Sequence, residues 1–216
     1  HAQKVLRKHW PDVPIYSDIR ELDAKQFRGT VSVVTGGFPC QDLSTAGKQV
    51  GFSGKRSSLY GEMLRVISEC MPRYAIFENV TGLLTGDSGR WFGQFLYDLA
   101  QIGFDAEWHC VSASDIGAHH HRDRVWVIAY PCGSRSEIGL ARQNIRQKGD
   151  TRISINLSNE IRRARRESGM EGWSIEPNVG RVAHGVPNRS HRLKQLGNAV
   201  VPQIPEAIGR AIMEFA

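Results

Sequence analysis

The chain reads as an α/β protein: a parallel sheet covered on both faces by helices, with one small basic insert. Three observations predict this. Apolar runs recur at residues 31–35, 73–77 and 125–130, a further strand reads over 104–111, and helical spacing lies between several of them. Residues able to do chemistry stand at the ends of those runs, Cys40 after the first and Glu78 after the second, which is where open α/β sheets gather their sites. Positive charge is concentrated: residues 133–194 hold 13 Lys/Arg against 6 Asp/Glu, a net of +7 in a chain whose total is +6.

Taken in order, residues 1–9 read as the end of a helix stopped by Trp10-Pro11. Val13-Pro14-Ile15-Tyr16 reads as a short strand leading to Ser17-Asp18-Ile19. An acid there suits a hydroxyl or amine contact on a nucleotide-like ligand; Asp18 serves equally as a helix N-cap before Arg20-Glu21-Leu22. The run 31–35 is a buried strand, closed by Gly36-Gly37 and stiffened by Pro39 just before Cys40. A thiol on such a turn is either a small apolar cap of the core or a nucleophile. The polar loop 41–57, with Gly47, Gly51 and Gly54, favours the second and reads as a lid carrying Lys48, Lys55 and Arg56.

Leu59, Met63, Leu64, Val66 and Ile67 mark a helix over 59–70, and 91–102 is a second. Between them the strand 73–77 delivers Glu78 to the same sheet edge as Cys40. Arg122-Asp123-Arg124 precedes the last strand; alone it is a surface ion pair. Beyond Gly133 the periodicity breaks down: Ile155, Leu157 and Ile161 offer little apolar surface, and Arg162-Arg163-Ala164-Arg165-Arg166 forms a dense run. That charge suits a polyanion, whose counterions are released on binding. Residues 202–215 close the chain as an amphipathic helix.

No apolar run reaches the roughly 18 to 20 residues that span a bilayer, so no membrane partner is expected. The four cysteines form no C-x-x-C pair, so reduced thiols and a cytoplasmic setting are expected. His119-His120-His121 lacks matching Cys or carboxylate spacing, so no metal site is expected.

Gly37-Phe38-Pro39-Cys40-Gln41 closely resembles the nucleophile motif of the DNA cytosine-5 methyltransferases. Glu78-Asn79-Val80, Arg122-Asp123-Arg124 and Gly197-Asn198-Ala199-Val200 resemble three further motifs of that family, in the family's order. The resemblance implies a Rossmann-like, S-adenosylmethionine-dependent sheet acting as a monomer on double-stranded DNA, bacterial or phage-encoded. It divides the chain into a catalytic part at 1–132, a target-recognition region at 133–188 and a returning segment at 189–216. It makes Cys40 the nucleophile, with Glu78 and Arg124 at the base and Arg122 at the catalytic loop or phosphates. The methyl donor falls to Asp18, Ile19, Gly37, Phe38, Pro39, Leu59, Asn198 and Val200. Asn79 is read as bracing the turn.

The pattern departs in three places. His120 stands where the family usually has Gln, and the insert is short for target recognition. The family's opening strand and Gly-rich loop, F-x-G-x-G in form, do not precede His1, so the chain reads as N-terminally incomplete and a poor donor binder alone. Two other readings follow: a non-catalytic nucleic-acid-binding relative, or an RNA cytosine-5 methyltransferase.

Overall fold

The computed structural model describes residues 2–38, 58–133, 152–168 and 198–214. Pro39, Cys40, the loop 41–57 and much of the basic insert lie outside them. By internal contacts the chain divides into two compact units, His1–Trp108 with Val125–Gly133, and His109–Arg124 with Ser134–Ala216.

The first unit begins with α1 (Ala2–His9) and two short 3-10 turns, Ile19–Glu21 and Ala24–Phe27. The strand expected over 13–16 does not form. Pro14 offers no N–H, Val13 and Tyr16 are 55% and 52% exposed, and no described strand lies beside them. Then follow β1 (Val33–Gly36), α2 (Ser58–Cys70), β2 (Tyr74–Val80), the short α3 (Gly82–Thr85), α4 (Arg90–Gln101), β3 (Phe104–Val111) and β4 (Arg124–Pro131).

The four strands form one sheet in the order β1-β2-β4-β3. β1 and β2 run parallel, with Val33 opposite Tyr74 and Gly36 opposite Phe77. The expected crossover thus brings the two carboxyl ends side by side. Tyr74, Ala75, Ile76 and Phe77 are all buried, and so is every residue from Val125 to Tyr130. Strands covered on both faces need such unbroken apolar runs, not alternation.

On one face α2 buries Tyr60, Met63 and Ile67, and α4 buries Phe92, Phe95 and Leu99, each at helical spacing. They meet Ala75, Phe77, Phe104, Val125, Val127 and Ala129 from the strands. α2 ends where Met71 turns left-handed (φ 49°) before Pro72. α4 ends at Gly103 (φ 83°), a conformation that glycine adopts without steric cost.

The second unit is a small helical cluster. A 3-10 turn (Ala113–Ile116) is closed by a reciprocal Ser112–Asp115 capping box. α5 (Arg152–Ser168) packs on that turn and on α6 (Gln203–Met213). Its core is Ile116, Ile153, Leu157, Ile204, Ile208 and Ala211, all buried. Part of the segment expected to be loosely built is therefore a 17-residue helix. Ile153, Leu157 and Ile161 fall four residues apart on one stripe. No described helix is long and apolar enough to cross a membrane.

Candidate active site

The parallel register sets Gly37 beside Glu78. A Cβ built on Gly37 would lie 3.3 Å from the Glu78 carbonyl oxygen and 3.5 Å from Glu78 Oε2. The carboxylate therefore rests against the start of the turn, in a space that glycine leaves open. A Cβ on Gly36 would come within 3.1 Å of Met63 Sδ, so α2 abuts the same backbone.

Phe38 is buried, with its ring centroid 5.1 Å from that of Tyr60 and 5.5 Å from that of Phe95. Asn79, only 3% exposed, donates from Nδ2 to the Phe38 carbonyl at 3.5 Å and accepts from the Val80 N–H at 2.9 Å. A buried amide so placed fixes backbone direction. The expected bracing role of Asn79 is what its contacts describe. Of the predicted residues, Gly37, Phe38 and Glu78 are brought together, and the chain leaves them towards Cys40.

Asp18 serves as the N-cap of the first 3-10 turn. It accepts from the Arg20 N–H at 3.0 Å and from Arg20 Nε at 2.9 Å. The Arg20 guanidinium and backbone hydrogen bonds hold its pKa down at about 2. Ile19 helps line an apolar groove of about 570 Å³ with Leu6, Trp10, Val13, Tyr16 and Leu22.

Arg65 on α2 fastens this segment. It donates to the carbonyls of Leu22 (3.0 Å) and Ile19 (2.7 Å), and pairs with Glu62 and Glu69. Glu69 also accepts from the Ala24 N–H at 3.1 Å, and Arg65 holds its pKa below the usual value. The Glu62–Arg65–Glu69 spacing is visible in the sequence as helical ion pairs; the two carbonyls are not. Leu59 is half-buried at the start of α2, one residue before Tyr60.

In the second unit, Arg122 Nη2 donates to the carbonyl oxygen of Ala199, between Asn198 and Val200. Arg124 Nη1 donates to the Asp123 carbonyl at 2.9 Å. Val200 is 43% exposed. His121 Nδ1 lies 3.4 Å from Ser114 Oγ, and among the described residues no group of three or more His, Cys, Asp or Glu side chains gathers as a metal site. On α5, Arg163 pairs with Glu167 at 2.7 Å, while Arg162, Arg165 and Arg166 are exposed.

The model of the family described as C-5 cytosine-specific DNA methylase matches residues 1–178. Among curated proteins, the type II methyltransferase M.Eco47II of Escherichia coli is 39% identical over 131 residues, covering 60% of this chain and 31% of the relative. The type II methyltransferase M1.ScrFI of Lactococcus lactis subsp. cremoris is 33% identical over 129 residues, 60% of this chain and 33% of its own. The chain thus spans about a third of the length of the curated relatives it matches. Among solved structures, the Entamoeba histolytica methyltransferase EhMeth aligns with a TM-score of 0.50 at 18% identity, over 60% of this chain and 41% of that one. At that identity the likeness shows the fold, a methyltransferase α/β sheet.

Proposed function

We propose, since the chain belongs to the C-5 cytosine-specific DNA methylase family, that its protein methylates carbon 5 of cytosine in duplex DNA through a covalent Cys40 adduct. The observation that carries this reading is the Glu78 carboxylate lying against Gly37, on the turn that leads to Cys40. Only Pro39 separates Phe38 from Cys40, so their Cα atoms lie at most about 7 Å apart. A nucleophile and a carboxyl group carried on neighbouring strand ends can engage one six-membered ring.

Carbon 5 of cytosine is a poor nucleophile. Addition of the Cys40 thiolate to carbon 6 makes carbon 5 enamine-like and drives charge towards ring nitrogen 3. Glu78 stabilises that nitrogen by hydrogen bond or proton, and Arg124 orients the base at its carbonyl oxygen. Once carbon 5 carries the new methyl group, loss of its proton breaks the Cys40–carbon 6 bond and frees the base.

S-adenosylmethionine, when bound, supplies an electrophilic methyl group. The groove with Ile19 in its wall fits the flat faces of an adenine, and the ionised Asp18 beside it fits a donor on the same ligand. Gly37, Phe38, Pro39, Leu59, Asn198 and Val200 are the further contacts in this reading. The base must leave the duplex to be reached. Residues 133–188 form the target-recognition region and the remainder the catalytic part, with the exposed arginines of α5 on phosphates.

The test traps the adduct. The full-length protein is incubated with S-adenosylmethionine and duplex DNA carrying 5-fluorocytosine, where fluorine at carbon 5 blocks release. A denaturation-resistant complex that vanishes in Cys40→Ser is expected. Trapping on structured RNA instead of DNA would reassign the substrate. No complex despite measurable DNA binding would leave a non-catalytic relative.

A further inference from the structure

Arg122 was expected at the catalytic loop or a phosphate, yet its guanidinium reaches 77 residues along the chain to the Ala199 carbonyl. From that contact we infer that Arg122 is a positioning residue that holds the backbone between Asn198 and Val200, the segment proposed above for the methyl donor. The inference rests on that reading for its functional consequence, but not for the contact itself.

The local geometry favours it. Residues 198–201 form the approach to α6, whose first turn, like that of any helix, leaves its leading N–H groups without intrahelical partners. Ile204 N–H reaches the Val201 carbonyl at 3.1 Å, and Glu206 N–H reaches the Pro202 carbonyl at 3.2 Å. Pro202 stands at the N-cap position with no side-chain capping bond. A helix start without a cap is prone to fray, and this one is exposed over 198–200. The charged donor on the Ala199 carbonyl does not cap the helix, which needs an acceptor for its N–H groups, but it ties down the backbone that leads into this uncapped start. At the other end, Arg122 follows the Ser112–Asp115 capping box by seven residues, in the unit whose core also holds α6. The anchor and its load thus belong to one compact unit.

A phosphate contact and a positioning bond give different signatures. An arginine on a phosphate lowers the salt dependence of DNA binding by about 0.9 when removed. An arginine that orders the donor segment changes donor affinity and local exchange, and leaves that slope alone.

The experiment compares wild type, Arg122→Gln and Arg122→Lys in the full-length protein. Amide hydrogen exchange is read without ligand, then S-adenosylmethionine affinity, then DNA affinity against salt. Arg122→Gln is expected to speed exchange of residues 199–206 about tenfold while leaving residues 74–80 unchanged, with Arg122→Lys between the two. Donor affinity is expected to fall roughly 3- to 10-fold, with KM for the donor rising more than kcat falls and the salt slope unchanged. Unaltered exchange at 199–206 overturns the proposal. So does a slope reduced by about 0.9 with donor affinity intact. Should wild type bind no S-adenosylmethionine, the donor reading of the previous section fails, and the exchange comparison still decides the role of Arg122. If Arg122→Gln unfolds the whole chain, Arg122→Lys decides: faster exchange confined to 199–206 supports the tie, and none refutes it.

Discussion

Replacing Phe95 by alanine should loosen the turn that leads to Cys40 by removing the ring on which it is built. Phe95 is fully buried, and the rings of Phe77, Phe38, Tyr60 and Phe92 lie 5.2, 5.5, 5.9 and 6.2 Å from it. One side chain therefore joins α4 to β2, to α2 and to the residue after Gly37. Deleting a fully buried Phe costs about 3–5 kcal/mol, of which part is the cavity left behind. Against a domain stability of roughly 5–15 kcal/mol that is a large fraction. A cost near 4 kcal/mol changes the folded-to-unfolded ratio by about a thousandfold and lowers Tm by roughly 8–16 °C for a chain of this size. Phe95→Leu keeps most of the volume and should cost about 1–2 kcal/mol. Tyr97→Ala, on the same helix but 58% exposed, should stay within about 0.5 kcal/mol. Urea unfolding followed by far-ultraviolet circular dichroism measures all three. A Phe95→Ala cost below about 1 kcal/mol, or a Tyr97→Ala cost equal to it, would refute the idea that this ring organises the turn.

Asn79→Ala leaves the Phe38 carbonyl and the Val80 N–H without their amide partner; the expected loss is about 1–3 kcal/mol, with adduct formation slowed at least tenfold, read by denaturation midpoint and trapping rate. Glu69 has its pKa lowered from 4.5, first by Arg65 and then by the Ala24 N–H. Its contribution is therefore complete above the unfolded value and lost as pH falls through the lower folded one. The stability gap between wild type and Glu69→Gln should accordingly shrink below about pH 4.5, and a gap constant from pH 7 to pH 3 would exclude the pairing. Arg162→Gln and Arg166→Gln on α5 should each weaken DNA binding irrespective of sequence and flatten its salt dependence by about 0.9, measured by fluorescence anisotropy between low and physiological salt.

Where burial decided the outcome, the sequence was legible. Tyr74–Phe77 and Val125–Tyr130 are continuous apolar runs, and α2, α4 and α6 keep their apolar stripes in plain helical register. The turn at Gly37 was legible for a different reason, because a strand followed by two glycines and an acid on the next strand leaves few arrangements. α5 was hidden because the stripe of Ile153, Leu157 and Ile161 is thin and its neighbours are Ser, Asn and Arg. Its burial comes from α6 and the Ala113–Ile116 turn, neither of which is near in sequence. The strand expected at 13–16 failed because a strand needs a partner, and hydrophobic content alone cannot say whether one is present. The Arg65 clamp and the Arg122 tie end on backbone carbonyls, which every residue has and no motif marks.

The helical unit is assembled from two pieces of chain, His109–Arg124 and Ser134–Ala216, between which β4 falls in the sequence. During synthesis the first piece emerges long before its partners. At roughly 5–20 residues per second, the stretch from 134 to 216 takes about 4 to 17 s to make. The Ala113–Ile116 turn must wait that long for α6, while the aromatic core around Phe95 already has most of its pieces. The nascent protein thus matures in two stages, and a ribosome stalled before Asn198 would leave Arg122 without the Ala199 carbonyl.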